Sequence, residues 1–216
     1  MTVSRRTVIA GTALVSIAAL CSDLVTPPAL ATSGGPRAVP EGIPVSENGW
    51  AIVESTGYGM AVWNSSVVGT VLSYDVRLGV VESVLTHLIQ RYHYEVAPLH
   101  EGDLMGWKAP RSNVGAGPHS NLSSGTAVQI RPGHFPTGTG GGLFPAELAS
   151  LRRILDELDG LVAWGGDEKE PDESLFWISA NPSNGQLQNL ESEIRSGFDK
   201  PGFGAGSRIA LRWVVR

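Results

Sequence analysis

The sequence predicts an α+β fold, a small antiparallel sheet flanked by helices. Apolar residues recur at helical spacing in three separate stretches, and strand-like runs lie between them. The two kinds of element are interspersed without regular strand–helix–strand alternation, which disfavours a parallel sheet. The chain's 216 residues and 22.8 kDa suffice for one full core and not for two large ones. A composition of 42% hydrophobic and 17% charged residues excludes wholesale disorder, and 27 Gly with 14 Pro imply many turns.

Taken in order, Trp50-Ala51-Ile52-Val53 and the run from Gly69 to Val76 read as strands. From Val80 to Tyr92 the period changes, and Val81, Leu85, Leu88 and Tyr92 fall on one helical face. A second helix starts at Pro145, a favoured first-turn residue. It carries Leu148, Leu151, Leu155 and Leu158 as a stripe and stops at Gly160. A third helix carries Leu187, Leu190 and Ile194. The cleanest alternation is at the end: Ile209, Leu211, Trp213 and Val215 point one way, Arg208, Arg212 and Arg216 the other.

The N-terminus has the form of an export signal. Arg5-Arg6 precede an apolar stretch from Val8 to about Cys21, and Ala29-Leu30-Ala31 offers the small-x-small pattern of a cleavage site. Paired arginines before a mildly apolar run resemble the twin-arginine class, which predicts a secreted protein, extracellular or held at the cell wall. The expected organisation is a signal peptide over 1–31, a Pro-rich linker over 32–47 and one domain over 48–216. Cys21 is the single cysteine, so no intrachain disulfide and no cysteine-based zinc cluster forms. A net charge of −5 argues against nucleic acid as a partner and, once the signal is removed, against an anionic membrane.

Two segments carry functional signal. The first is Ser120-Asn121-Leu122-Ser123-Ser124-Gly125-Thr126-Ala127-Val128-Gln129-Ile130. The second is Val162-Ala163-Trp164-Gly165-Gly166-Asp167, followed by Pro171-Asp172-Glu173-Ser174-Leu175-Phe176-Trp177-Ile178. In this order they resemble the D-alanyl-D-alanine carboxypeptidase family of zinc peptidases, whose fold the hedgehog signalling domain shares. That family carries Ser-x-His-x-x-Gly-x-Ala-x-Asp, then Trp-Gly-Gly-Asp, then Asp-x-x-His-Phe. Ser120, Gly125 and Ala127 match the first motif, and Trp164, Gly165, Gly166, Asp167, Asp172 and Phe176 match the rest. The resemblance covers roughly residues 80–180 and implies a hedgehog/D-Ala-D-Ala peptidase-like fold.

The resemblance also implies a zinc ion, but the family's three ligand positions hold Leu122, Gln129 and Leu175. A leucine has no lone pair, and a glutamine carbonyl suits harder cations than zinc. Without the ion nothing lowers the pKa of the attacking water or polarises the scissile carbonyl. The expectation is therefore no cofactor and no hydrolysis by the family's route. Two leucines replacing two histidines let the vacated space close as apolar packing, so Leu122 and Leu175 are expected to touch, on adjacent strands.

Further residues follow from the resemblance. Asp172 stands at the family's general-base position, a vestigial role without a metal-bound water; the alternative is a solvated residue of the acidic stretch from Asp167 to Glu173. Arg111 lies where the family often carries a substrate-binding arginine, its planar fork suited to a peptide carboxylate, the alternative being an ordinary surface arginine; Ser120, matching the first motif, is the other substrate-binding candidate. Gly165-Gly166 reads as a tight turn with positive φ, and Gly138-Thr139-Gly140-Gly141-Gly142 as a flexible loop without the lysine of a phosphate-binding loop.

Three functions fit this sequence. One is a secreted pseudopeptidase whose groove holds a peptidoglycan stem peptide or a protein partner. Another is a scaffold with a filled groove, its partner surface on the strand bearing Arg208 and Arg212. The last is an active peptidase with a relocated zinc, for which His119 and His134 lie nearest, with Asp172 or Asp103; His87, His93 and His100 have no metal-like spacing.

Overall fold

The computed structural model describes residues 42–57, 59–110 and 117–198. Segment 1–31, expected to be an export signal, Cys21, Arg111 and the alternating segment 208–216 lie outside the described residues.

An antiparallel hairpin opens the described elements: β1 (Val62–Ser66) pairs with β2 (Ser73–Arg77). Helix α1 (Val80–Glu95) follows, then β3 (Leu104–Met105), a single helical turn α2 (Ser120–Ser123) and β4 (Ala127–Ile130). Helix α3 (Pro145–Glu157), β5 (Val162–Trp164), β6 (Leu175–Ile178) and α4 (Gly185–Phe198) complete the order. The main sheet runs β3-β4-β6-β5, and every strand pairing is antiparallel. The α+β class and the small antiparallel sheet thus stand.

Side-chain alternation gives the sheet two different faces. Val128 and Ile130 of β4, Phe176 and Ile178 of β6, and Val162 and Trp164 of β5 join one cluster with the stripes of the three long helices. In that cluster lie Val81, Leu85, Leu88 and Tyr92 of α1, Leu151 and Ile154 of α3, and Leu187, Leu190 and Ile194 of α4. On the opposite face Ala127, Leu175 and Trp177 form a smaller cluster with Leu122, against which Ala163 packs. Arg91, fully buried on α1, joins α1 to α3 by donating to Glu157 at 2.8 Å, and it also pairs with Glu95.

Several expected elements differ. Trp50–Val53 is not a strand: the segment forms one isolated bridge, Val45 to Ala51, and its polar groups bond individually across the molecule. The Trp50 indole donates to the carbonyl of Ala180 at 2.8 Å, and the N–H of Val53 to that of Ser123 at 2.9 Å. Nor does the linker extend to residue 47. Ser46 and Asn48 are buried, and the Asn48 amide donates to Thr126 at 2.8 Å and to the carbonyl of Ile178 at 2.7 Å. The strand expected from Gly69 begins only at Ser73, because residues 67–70 turn, with Thr70 N–H donating to the Val67 carbonyl at 3.1 Å. Strand β1 was unforeseen; most of its side chains are exposed, so it has no alternating signal.

Candidate functional site

The two motifs come together on the second face of the sheet. Gln129 and Leu175 are direct cross-strand partners in β4 and β6. Leu122 reaches the same face from α2, one turn of helix rather than a strand, and shares its apolar cluster with Leu175, Ala127 and Trp177. Leu122 and Leu175 are 2% and 1% exposed, so the space between them is closed to water. Gly125, just after α2, has a φ of +72°, and a Cβ there would stand 2.6 Å from a methyl of Val62, so the glycine lets the β1–β2 hairpin lie close against this turn.

Gln129 is held by polar neighbours. Its carbonyl oxygen accepts from the Lys108 ammonium at 2.6 Å, and its amide donates to Ser174 Oγ at 3.2 Å and to Asp172 Oδ2 at 3.4 Å. As a donor set for zinc, the three positions supply no imidazole and no carboxylate. Their one lone-pair donor already receives a cationic N–H, and that charge repels an approaching dication.

Asp172 is 2% exposed, which excludes the solvated alternative. Its Oδ2 accepts from His119 Nε2 at 2.8 Å and from Thr137 Oγ1 at 3.0 Å, and its Oδ1 from the backbone N–H of Ser174 at 3.1 Å and from the Ser174 hydroxyl. Burial pushes the carboxyl up, but these hydrogen bonds together outweigh it and hold the pKa at about 2. The ionised carboxylate requires a hydrogen on Nε2 of the half-exposed His119 ring. His119 thus makes the approach to Asp172 that its place in the sequence allowed. His134 makes no such approach; its N–H donates to the Arg131 carbonyl at 2.8 Å. Asp103 accepts from the N–H of His100 at 2.7 Å, away from this group. Among the described residues, no three His, Cys, Asp or Glu side chains gather as a metal site.

Ser120 is buried, with its hydroxyl donating to the carbonyl of Gly117 at 2.7 Å and accepting from the N–H of Glu47 at 2.9 Å. Both bonds are to backbone, so the hydroxyl fastens the 46–48 segment to α2. Arg111 lies outside the described residues. Lys108, missed by sequence reasoning, is the cation the structure does put at this site.

The Trp-Gly-Gly segment has a physical reason different from the one expected. Neither Gly165 nor Gly166 has a positive φ. A Cβ on Gly165 would lie 2.3 Å from the carbonyl oxygen of Asp172, and one on Gly166 would lie 2.3 Å from the Trp164 ring. Close approach, not turn geometry, demands both glycines. The loop 138–142 is likewise no free loop. The buried Glu173 carboxylate accepts from the N–H groups of Gly141 at 2.6 Å and Gly142 at 2.8 Å. Gly138 N–H also donates to the carbonyl of Pro171 at 2.6 Å.

No family model, no curated protein and no solved structure matches the chain.

Proposed function

We propose that the chain is a degenerate member of the D-alanyl-D-alanine carboxypeptidase family, exported by a twin-arginine-type signal, that binds a peptide without cutting it by the family's metal route. The observation that carries this reading is the convergence of Leu122, Gln129 and Leu175 on one face of the sheet. The motif match requires these positions to meet, and Gln129 and Leu175 are 46 positions apart in sequence. Their chemistry supports a site without zinc, since the apolar pair fills the space and Lys108 supplies the positive charge.

The ligand class follows from the polar margin. Lys108 stands beside the Gln129–Asp172 group, and its ammonium is a cation that attracts an anionic oxygen. A peptide with a free C-terminal carboxylate, such as a peptidoglycan stem peptide, fits that margin. The test is calorimetric titration of the full chain, after removal of its signal, with stem peptides ending in D-alanine carboxylate or in the amide. Saturable binding of the acid, at least tenfold weaker for the amide and for Lys108→Ala, is the expected result. Absence of saturable binding overturns the binding reading, and release of D-alanine by metal-free protein overturns the non-hydrolytic one.

A further inference from the structure

The polar group around Asp172 turns nearly all of its hydrogen-bonding capacity inward. Oδ2 of Asp172 takes hydrogen bonds from His119 Nε2 at 2.8 Å, Thr137 Oγ1 at 3.0 Å and Gln129 Nε2 at 3.4 Å. Oδ1 accepts from the N–H and the hydroxyl of Ser174. Gln129 in turn accepts from Lys108 at 2.6 Å and donates to Ser174 Oγ at 3.2 Å. Asp172, Gln129 and Ser174 are all buried, so these atoms are closed to a ligand. The group meets its surroundings through its exposed members, Lys108, Thr137 and His119.

His119 is fixed at both ends. Its carbonyl accepts from the N–H of Leu122 at 3.1 Å, in the turn of α2, and its Nε2 is held by Asp172. With the hydrogen on Nε2, a neutral ring keeps a lone pair on Nδ1, on the other side of the ring. Nδ1 has no hydrogen-bond partner among the described residues, and half of the side chain is exposed. The buried carboxylate polarises the ring through Nε2 and so strengthens Nδ1 as an acceptor. Thr137 offers less: its one hydrogen goes to Asp172, and a hydroxyl lone pair is a weaker acceptor than an imidazole nitrogen.

The exposed margin therefore makes two unlike demands. The Lys108 ammonium attracts an anionic oxygen, and His119 Nδ1 requires an N–H. The C-terminal end of a peptide carries both, a carboxylate and the backbone N–H groups just before it. Resting on the peptide-binding reading above, we infer that His119 is a specificity-determining residue. Its Nδ1 accepts a backbone N–H from one of the last two peptide bonds of a ligand whose carboxylate lies at Lys108. The site then selects peptides over ester-linked analogues of the same shape. An ester oxygen in place of the N–H removes the hydrogen bond and sets lone pair against lone pair.

Calorimetric titration of the full chain with three stem peptides of one sequence, all ending in a carboxylate, tests this. Mildly alkaline buffer keeps the imidazole neutral. One peptide is intact; each of the others carries an ester oxygen in place of one N–H, in the last or the preceding linkage. One of the two esters is expected to bind about tenfold more weakly than the intact peptide, and in His119→Phe that difference falls below about threefold. The nitrogen resonance of His119 Nδ1 in the unaltered chain reads the same contact whether or not His119→Phe folds. It is expected to move on saturation with the intact peptide and to keep its place with the weakened ester. Intact peptide and both esters binding alike overturn the inference and leave the peptide-binding reading standing. A difference that persists in folded His119→Phe overturns it by assigning the N–H to another acceptor, and an unmoved Nδ1 resonance overturns it as well. No saturable binding of the intact peptide overturns both the inference and the reading it rests on.

Discussion

Leu122 and Leu175 meet in one buried apolar cluster, although the first rides a helical turn and the second opens a strand. Their contact joins the two motif segments, so each leucine carries stability as well as closing the site. Leu175→Ala and Leu122→Ala are each expected to cost about 2–5 kcal/mol, from lost burial and the cavity left behind. Urea unfolding measures this. A cost under about 1 kcal/mol at both positions would mean the cluster is loosely packed.

Restoring the family's ligands probes the motif register. In Leu122→His, Gln129→Asp, Leu175→His the Lys108 ammonium still sits beside position 129 and opposes a dication. At ~5 Å and an effective dielectric of about 20 this amounts to about 3 kcal/mol per unit of charge on the ion. Adding Lys108→Met is therefore expected to tighten zinc binding by more than tenfold, read by competition with a chromophoric chelator. A folded quadruple variant that binds no zinc would refute the alignment of the two segments.

Asp172 makes stability depend on acid pH. Its carboxyl titrates from 3.8 down to about 2, because hydrogen bonds from His119, Ser174 and Thr137 outweigh the effect of burial. A lowered folded pKa gives stability that is complete above about pH 4 and lost as pH falls toward 2. The shift corresponds to about 2 kcal/mol. Asp172→Asn is expected to lower urea stability by about that much at pH 7, and the gap to the unaltered protein should shrink steadily below pH 4.

A second pH effect lies in the core. His87 on α1 is 5% exposed with Nε2 unpartnered among the described residues. Burial, with the Arg91 charge adding to it, pushes its pKa from 6.5 down to about 4. The folded ring stays neutral while the unfolded one takes up a proton, so stability falls as pH drops from 6.5 toward 4, by up to about 3 kcal/mol. His87→Leu is expected to flatten the stability profile across that window. A profile unchanged by the substitution would contradict a neutral buried imidazole.

The helices were legible because burial of one face imposes a 3.6-residue period on Leu151, Leu155 and Leu158 and on Leu187, Leu190 and Ile194. Positions facing each other across the sheet were legible through the motifs alone. Of the polar group, the approach of His119 to Asp172 was legible, but Lys108 was not: it bonds a residue 21 positions away, with no local pattern linking the two. Trp50–Val53 misled for a related reason. Its apolar run packs on the core, yet its backbone and indole bond to Pro44, Ser123 and Ala180 rather than to a ladder. Apolar content reports burial, and a strand needs a partner as well.

The grip of Glu173 on Gly141 and Gly142 bears on how any visitor is received. Glu173 sits two residues before β6, between Asp172 and Ser174, so the glycine-rich wall and the Asp172 group are borne by one short stretch of backbone. The two glycine N–H bonds thus tie the 138–142 segment to the backbone that carries Asp172. A peptide bound as proposed above would meet a preshaped surface, so little ordering entropy would be lost on binding.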